Sequence, residues 1–296
     1  MKAVISIKNF SKTFGSEKAV SDLSFEVNQG DIFAFLGSNG SGKTTTIRCL
    51  LDIYQADQGE LLVYDKPYSN ALASEIGYLP EERGLYTKAK VDNVLNYFAA
   101  LRGLSSNDSK ILVSEYLEKV GLKEHQQKNI SQLSSGMQQK VQLGTALIHK
   151  PKLLILDEPF KGLDPLNRAL FQEMFQELQK QGTTILYSTH VLDEAQRLAN
   201  RLVITNRGER KAYGEINEVR RAFGNKIIHL EFNGKLPKND ALYSSKVINQ
   251  IAEITPGENI HYQEVLKFLI SKDLDIINYR LDYPSLSEIF VKISQL

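Results

Sequence analysis

The stretch "DIFAFLGSNGSGKTTTIRCL", residues 31–50, decides how this chain folds. After Asp31 it opens with five apolar residues, the pattern of a strand buried on both faces. From residue 43 to 51 the composition turns helical. Between the two lies G-x-x-x-x-G-K-[ST], with Gly37, Gly42, Lys43 and Thr44 in the required places. Strand, loop and helix come in the order that gives this motif its meaning. The glycines let the backbone curl so that N–H groups point inward at a phosphate. Lys43 brings a fixed positive charge for the β- and γ-phosphates, and the Thr44 hydroxyl is placed to ligate Mg²⁺. A lysine against a helix start is a costly choice unless an anion compensates it.

Working outward, strand-like segments recur: "AVISIKNF", "LSFEVN", "GELLVY", "IGYLP", "KLLILDEP", "GTTILYST" and "RLVITNRGE". Several are apolar on both faces and predict a parallel core sheet, while those near the start alternate and predict an antiparallel layer. Helical patterns fall at 43–51, 91–102, 108–120, 135–149, 166–180 and 191–199. The block from about 85 to 150 is almost wholly helical and predicts a subdomain inserted into an α/β core. After about residue 215 the pattern changes to strands, loops and a helix. The sequence therefore predicts a domain over 1–215 and a small α+β domain over 216–296. Near the end, Ser285 followed by Glu288 forms a capping-box pattern.

The bulk numbers narrow the classes. The chain has 296 residues, 42% hydrophobic and 24% charged, ordinary for a folded soluble protein. Its apolar runs are far short of the ~20 residues a membrane span requires, and the first residues lack a signal peptide's apolar block. The single cysteine, Cys49, has no internal partner and fits a reducing cytoplasm. A net charge of +1 argues against nucleic acid as a partner.

Two further motifs carry chemistry. "KLLILDEP" is an apolar strand ending in Asp157 and Glu158. Adjacent carboxylates at a strand end repel each other unless they have a cation or a task. Asp157 would hold Mg²⁺, directly or through water, and Glu158 would orient and deprotonate an attacking water. His190 ends the strand "TTILYSTH", at the edge where α/β sheets place ligand sites, and could hydrogen-bond the γ-phosphate. Separately, "LSSGMQQK", residues 133–140, puts small residues and bare amides at a helix start. Such an end attracts anions.

With these residues together, the chain resembles the ATP-binding cassette (ABC) proteins, and more narrowly the ATPase subunits of ABC-2-type exporters, the group that includes the sodium-extrusion ATPase. The match covers about residues 3–215, and "LSSGMQQK" resembles the family's signature segment LSGGQ, in the family's order. The implied fold is a P-loop NTPase cassette: a mixed core sheet, an antiparallel β layer and an inserted helical subdomain. The phosphate-binding set would be Gly37, Ser38, Asn39, Gly40, Ser41, Gly42, Lys43, Thr44 and Thr45. By resemblance, two cassettes pair head to tail, and Ser134, Ser135 and Gly136 of one face the γ-phosphate held by the other. Phe14 matches the aromatic that stacks on adenine, and Asp164 the interface aspartate of "GLD". Glu81 matches the loop position, usually glutamine, that reaches the metal and the membrane partner. Lys161 stands where serine is usual, and Ser135 and Met137 replace the usual glycine and glutamine of the signature. "PSLSEIF" resembles the closing motif of an accessory domain in this exporter subgroup.

The resemblance implies ATP and Mg²⁺ as ligands, with Lys43, Glu158 and His190 serving hydrolysis. It implies transmembrane permease subunits and a second cassette as partners, at the cytoplasmic face of the membrane. The alternative is a soluble ABC ATPase acting on ribosomes or nucleic acid. Those usually carry two cassettes or a long coiled-coil insert, and neither pattern occurs here.

Overall fold

The computed structural model describes residues 2–294, apart from 83 and 225. It falls into two compact units, 1–214 and 215–296. In the first, β1 (Ala3–Phe14), β2 (Glu17–Asn28), β3 (Ile32–Gly37), α1 (Lys43–Leu50), β4 (Gln58–Val63) and β5 (Ile76–Leu79) come first. The insert follows as α2 (Val91–Leu101), α3 (Ser106–Lys119) and α4 (Ser135–Leu147). Then come β6 (Leu153–Asp157), α5 (Pro165–Lys180), β7 (Thr184–Thr189), α6 (Leu192–Leu198), β8 (Arg201–Asn206) and β9 (Glu209–Glu215).

The core sheet has the order β5-β6-β7-β3-β8-β9. Its first five members pair in parallel. Every residue of β3, β6 and β7 is buried, which is why these strands are apolar on both faces. A separate antiparallel sheet, β2-β1-β4, supplies the predicted second layer. Phe25 of β2 stacks on Phe33 of β3 with centroids 5.5 Å apart and meets Phe35 edge-on at 5.3 Å, joining the two sheets through one apolar core. Cys49 on α1 is buried in that core.

The insert lies between β5 and β6, as the helical block predicted. α4 is its central piece. A Cβ at Gly144 would fall 2.5 Å from the Tyr116 ring of α3 and 2.9 Å from Leu95 of α2, so only glycine lets the three helices approach this closely. That contact offsets the helix-propensity cost of roughly 1 kcal/mol.

The second unit contains α7 (Ile216–Ala222), β10 (Ile227–Asn233), β11 (Tyr243–Ile248), β12 (Ile251–Pro256), α8 (Tyr262–Ser271), β13 (Asp275–Asp282) and α9 (Leu286–Ser294). Its antiparallel sheet has the order β11-β12-β10-β13. The β11–β12 hairpin carries no glycine at its turn; Asn249 and Gln250 both take positive φ, 46° and 67°, so the usual sequence signal is missing. Ser285 and Glu288 form the reciprocal capping box at α9. Buried Arg220 ties α7 to the turn before α9, donating to Pro284 O and Tyr283 O and pairing with Asp282 at 2.7 Å. Among the described residues no helix is long and apolar enough to cross a membrane.

Candidate functional site

The core sheet places β6, β7 and β3 side by side in parallel, so their C-terminal ends emerge on one edge. Asp157 and Glu158 leave β6 there, His190 leaves β7, and the phosphate loop leaves β3. Gly42 caps α1 with φ 91°. A Cβ there would lie 2.7 Å from Val20 and 2.8 Å from Ala19 O, so the loop closes against β2 only with glycine. Phe14, loop residues 39–45, Glu81 and Glu158 line a cavity of about 410 Å³ at this edge.

Lys43 is 6% exposed and folds back to donate to Gly37 O at 2.9 Å and Ser38 O at 3.1 Å. Burial lowers its affinity for a proton, while Glu158, Asp157 and Glu81 oppose that shift. Lys43 Nζ is 3.9 Å from Glu158 Oε1. His190 Nδ1 lies 3.0 Å from both Glu158 oxygens. Glu158 itself sits at φ 49°, a conformation uncommon for a residue other than glycine, and it directs the buried side chain between the lysine and the histidine. Deeper in, burial raises Asp157 above the usual carboxylate range, against the Ser188 and Thr44 hydroxyls that hold it down.

Sequence reading missed Ser188. Its hydroxyl accepts from Glu158 N at 3.0 Å and donates to Asp157, so one side chain orients both carboxylates. The signal lay in the parallel register that sets Asp157 opposite Ser188. Gln139 and Gln142 were also missed. Both are buried on α4; Gln139 donates to Pro159 O, and Gln142 donates to Pro80 O and Glu82 O at 3.1 and 3.0 Å. Beside the site, Arg168 of α5 reaches the buried Glu194 of α6 at 2.8 Å.

The residues fit a divalent cation. Asp157 Oδ2 is buried without a hydrogen-bond partner, and the Thr44 hydroxyl is close enough to influence the same carboxyl. Among the described residues no group of three His, Cys, Asp or Glu forms a cage. Mg²⁺ is usually bound by one or two protein oxygens together with phosphate and water, and Thr44 and Asp157 can supply two.

Phe14 is 45% exposed, with Tyr54 edge-on at 5.5 Å and Lys12 over its ring. Glu81 lines the cavity, but its carboxylate is taken by Lys161 at 2.7 Å. The signature residues are elsewhere. Ser134 caps α4, accepting from Met137 N at 3.3 Å, and Ser134 and Ser135 are exposed outside the cavity around Lys43. A Cβ at Gly136 would stand 3.7 Å from Asn167 Nδ2, an ordinary contact. Asn167 is held by Asp164, the cap of α5, which accepts from its N–H at 2.9 Å.

Comparison with known proteins agrees with this geometry. The ABC transporter family profile matches residues 20–161. The profile of the ATP-binding protein DrrA1-3-like C-terminal domain matches residues 214–294. The ABC transporter ATP-binding protein YhaQ of Bacillus subtilis is 36% identical, with 98% of each chain covered. The Nod factor export ATP-binding protein I of Bradyrhizobium diazoefficiens is 37% identical over 69% of this chain and 68% of its own. A solved ATP-binding subunit of an ABC transporter superposes with a TM-score of 0.69 at 30% identity, over 74% of this chain and 93% of that one. The chain belongs to the ATP-binding, ATP-hydrolysing proteins of ABC transporters.

Proposed function

We propose that two cassettes, copies of this chain or one copy and a homologue, close around two ATP molecules and drive export through ABC-2-type transmembrane subunits. The observation that carries this reading is the separation within one chain. Lys43 and Glu158 line one cavity, with His190 held against Glu158, while Ser134 and Ser135 at the start of α4 are exposed outside it. An exposed amide-rich helix end that finds no phosphate in its own chain is suited to one held by another.

Lys43 and the loop amides of residues 38–45 hold the β- and γ-phosphates. Phe14 offers its exposed face to the adenine. Thr44 and Asp157 hold Mg²⁺, which when bound neutralises charge on the phosphate oxygens. Glu158 accepts the proton of a water as its oxygen bonds the γ-phosphorus and the bond to the β–γ bridging oxygen breaks, leaving ADP and phosphate. His190 fixes the Glu158 carboxylate and contacts the γ-phosphate. Ser134, Ser135, Gly136 and Asp164 complete the site from the other cassette.

Export is supported by the Nod factor relative, whose name states export. The narrower likeness to the sodium-extrusion subgroup rests on sequence pattern, and the cargo is assigned to the membrane subunit's path. Docking to that subunit would put the chain at the cytoplasmic membrane face. Glu158→Gln tests the core of the reading. Turnover should fall by about 10²–10⁴, and ATP should convert the variant from monomer to dimer in analytical ultracentrifugation. A variant that stays monomeric at saturating ATP, alone and with its membrane partner, would refute the sandwich.

A further inference from the structure

Two positions where the chain departs from the usual cassette pattern, Glu81 and Lys161, meet in the fold. Lys161 Nζ lies 2.7 Å from Glu81 Oε1. They are far apart in sequence, but β5 and β6 are parallel neighbours, so the segments that follow them leave the sheet side by side. Both backbones are pinned. Gln142 donates to the carbonyls on either side of Glu81, at Pro80 and Glu82. Gln139 donates to Pro159 O, and Lys161 N closes the turn on Glu158 O at 3.1 Å. With the main chain fixed, only side-chain torsions decide where the Glu81 carboxylate goes, and Lys161 captures it.

The charge matters to the cavity. Glu81 lines it together with Lys43 and Glu158, and its field acts on both Asp157 and Lys43. Three carboxylates therefore bear on a site built for a triphosphate. An uncompensated Glu81 would repel the phosphates and add a ligand beside Thr44 and Asp157. We propose that Lys161 is a positioning residue for Glu81: it draws the carboxylate onto the 158–161 turn, neutralises it and keeps it off the metal position. The two departures compensate each other. An ion pair this exposed contributes little to folding, so its effect belongs to ligand charge balance.

This inference rests on the ATP site described above, and one set of measurements separates the two. ATP affinity is measured by calorimetry in EDTA for the full chain, for Lys161→Ser, for Glu81→Gln and for the double variant. Lys161→Ser should weaken metal-free ATP about three- to tenfold, and Glu81→Gln should strengthen it. The double variant should return to within about twofold of the parent. With the non-hydrolysable imido analogue of ATP, Lys161→Ser should also lower the Mg²⁺ concentration needed for half-saturation, and adding Glu81→Gln should reverse that. A double variant that stays as weak as Lys161→Ser, or a Lys161→Ser protein identical to the parent in both readings, overturns the pairing. Lys43→Ala serves as the control. Lost binding there alongside an uncoupled pair sinks the pair alone, whereas parental binding sinks the ATP site and the pair with it.

Discussion

The phosphate loop and the start of α4 are both ends of helices suited to anions, yet they are built differently. The loop is enclosed: Ser41 and Lys43 are buried, Lys43 donates to two carbonyls of its own loop, and glycine is forced at position 42 by its neighbours. The α4 start is open, with one internal cap bond from Met137 N to Ser134 and room for a side chain at Gly136. A site that folding completes can afford no slack. One that a second molecule completes has to keep its donors unspent. On the proposed pairing, burial distinguishes the half of an ATP site that a chain owns from the half it lends.

The sharpest way to break that contrast is Lys43→Ala, which should lower ATP affinity on the order of a hundredfold in calorimetry, because a charged donor to the phosphates is lost. Ser134→Ala should act differently. In the Glu158→Gln background it should weaken ATP-driven pairing on the order of tenfold, while the affinity of a single chain changes less than about twofold. Equal losses in both readings would erase the distinction between owned and lent halves. Gln142→Ala probes how α4 reaches back to its own chain's site. It strips hydrogen bonds from Pro80 O and Glu82 O and should cost about 1 kcal/mol in urea denaturation.

The smallest effect concerns His149, just beyond α4, whose Nε2 lies 3.2 Å from Ile76 O. Burial, with Arg102 nearby, pushes this imidazole from 6.5 down to about 4. The unfolded chain takes up a proton there below about pH 6.5 and the folded chain does not. Stability is therefore full above that pH and is lost as pH falls toward 4. Between pH 7 and pH 5 the loss should be under about 1 kcal/mol, allowing for partial solvent screening. His149→Gln should flatten that part of the denaturation profile.

Much of the fold was legible because its signals are local. Apolar strands, the glycine loop and the helical block each announce themselves within a few residues, and together they set out the cassette sheet and its insert. The β11–β12 hairpin escaped because Asn249 and Gln250 make its turn without glycine. In the site, Lys43, Asp157, Glu158 and His190 stand at strand ends or in a motif and could be named from spacing. Ser188, Gln139, Gln142 and the Lys161–Glu81 pair could not. Each acts across a strand register or between a helix and a distant loop, and nothing in its own neighbourhood records the partner.

Cys49 is 7% exposed, and burial pushes its thiol up to about 11. At neutral pH almost none of it is thiolate, and little of it meets solvent. The chain's native sulfur is thus silent toward maleimides and copper-catalysed coupling. A single engineered cysteine at an exposed position away from the site, such as Asn107 on α3, would be the one reactive handle on the molecule, and fluorophores or cross-linkers could follow cassette closure in the otherwise unaltered protein.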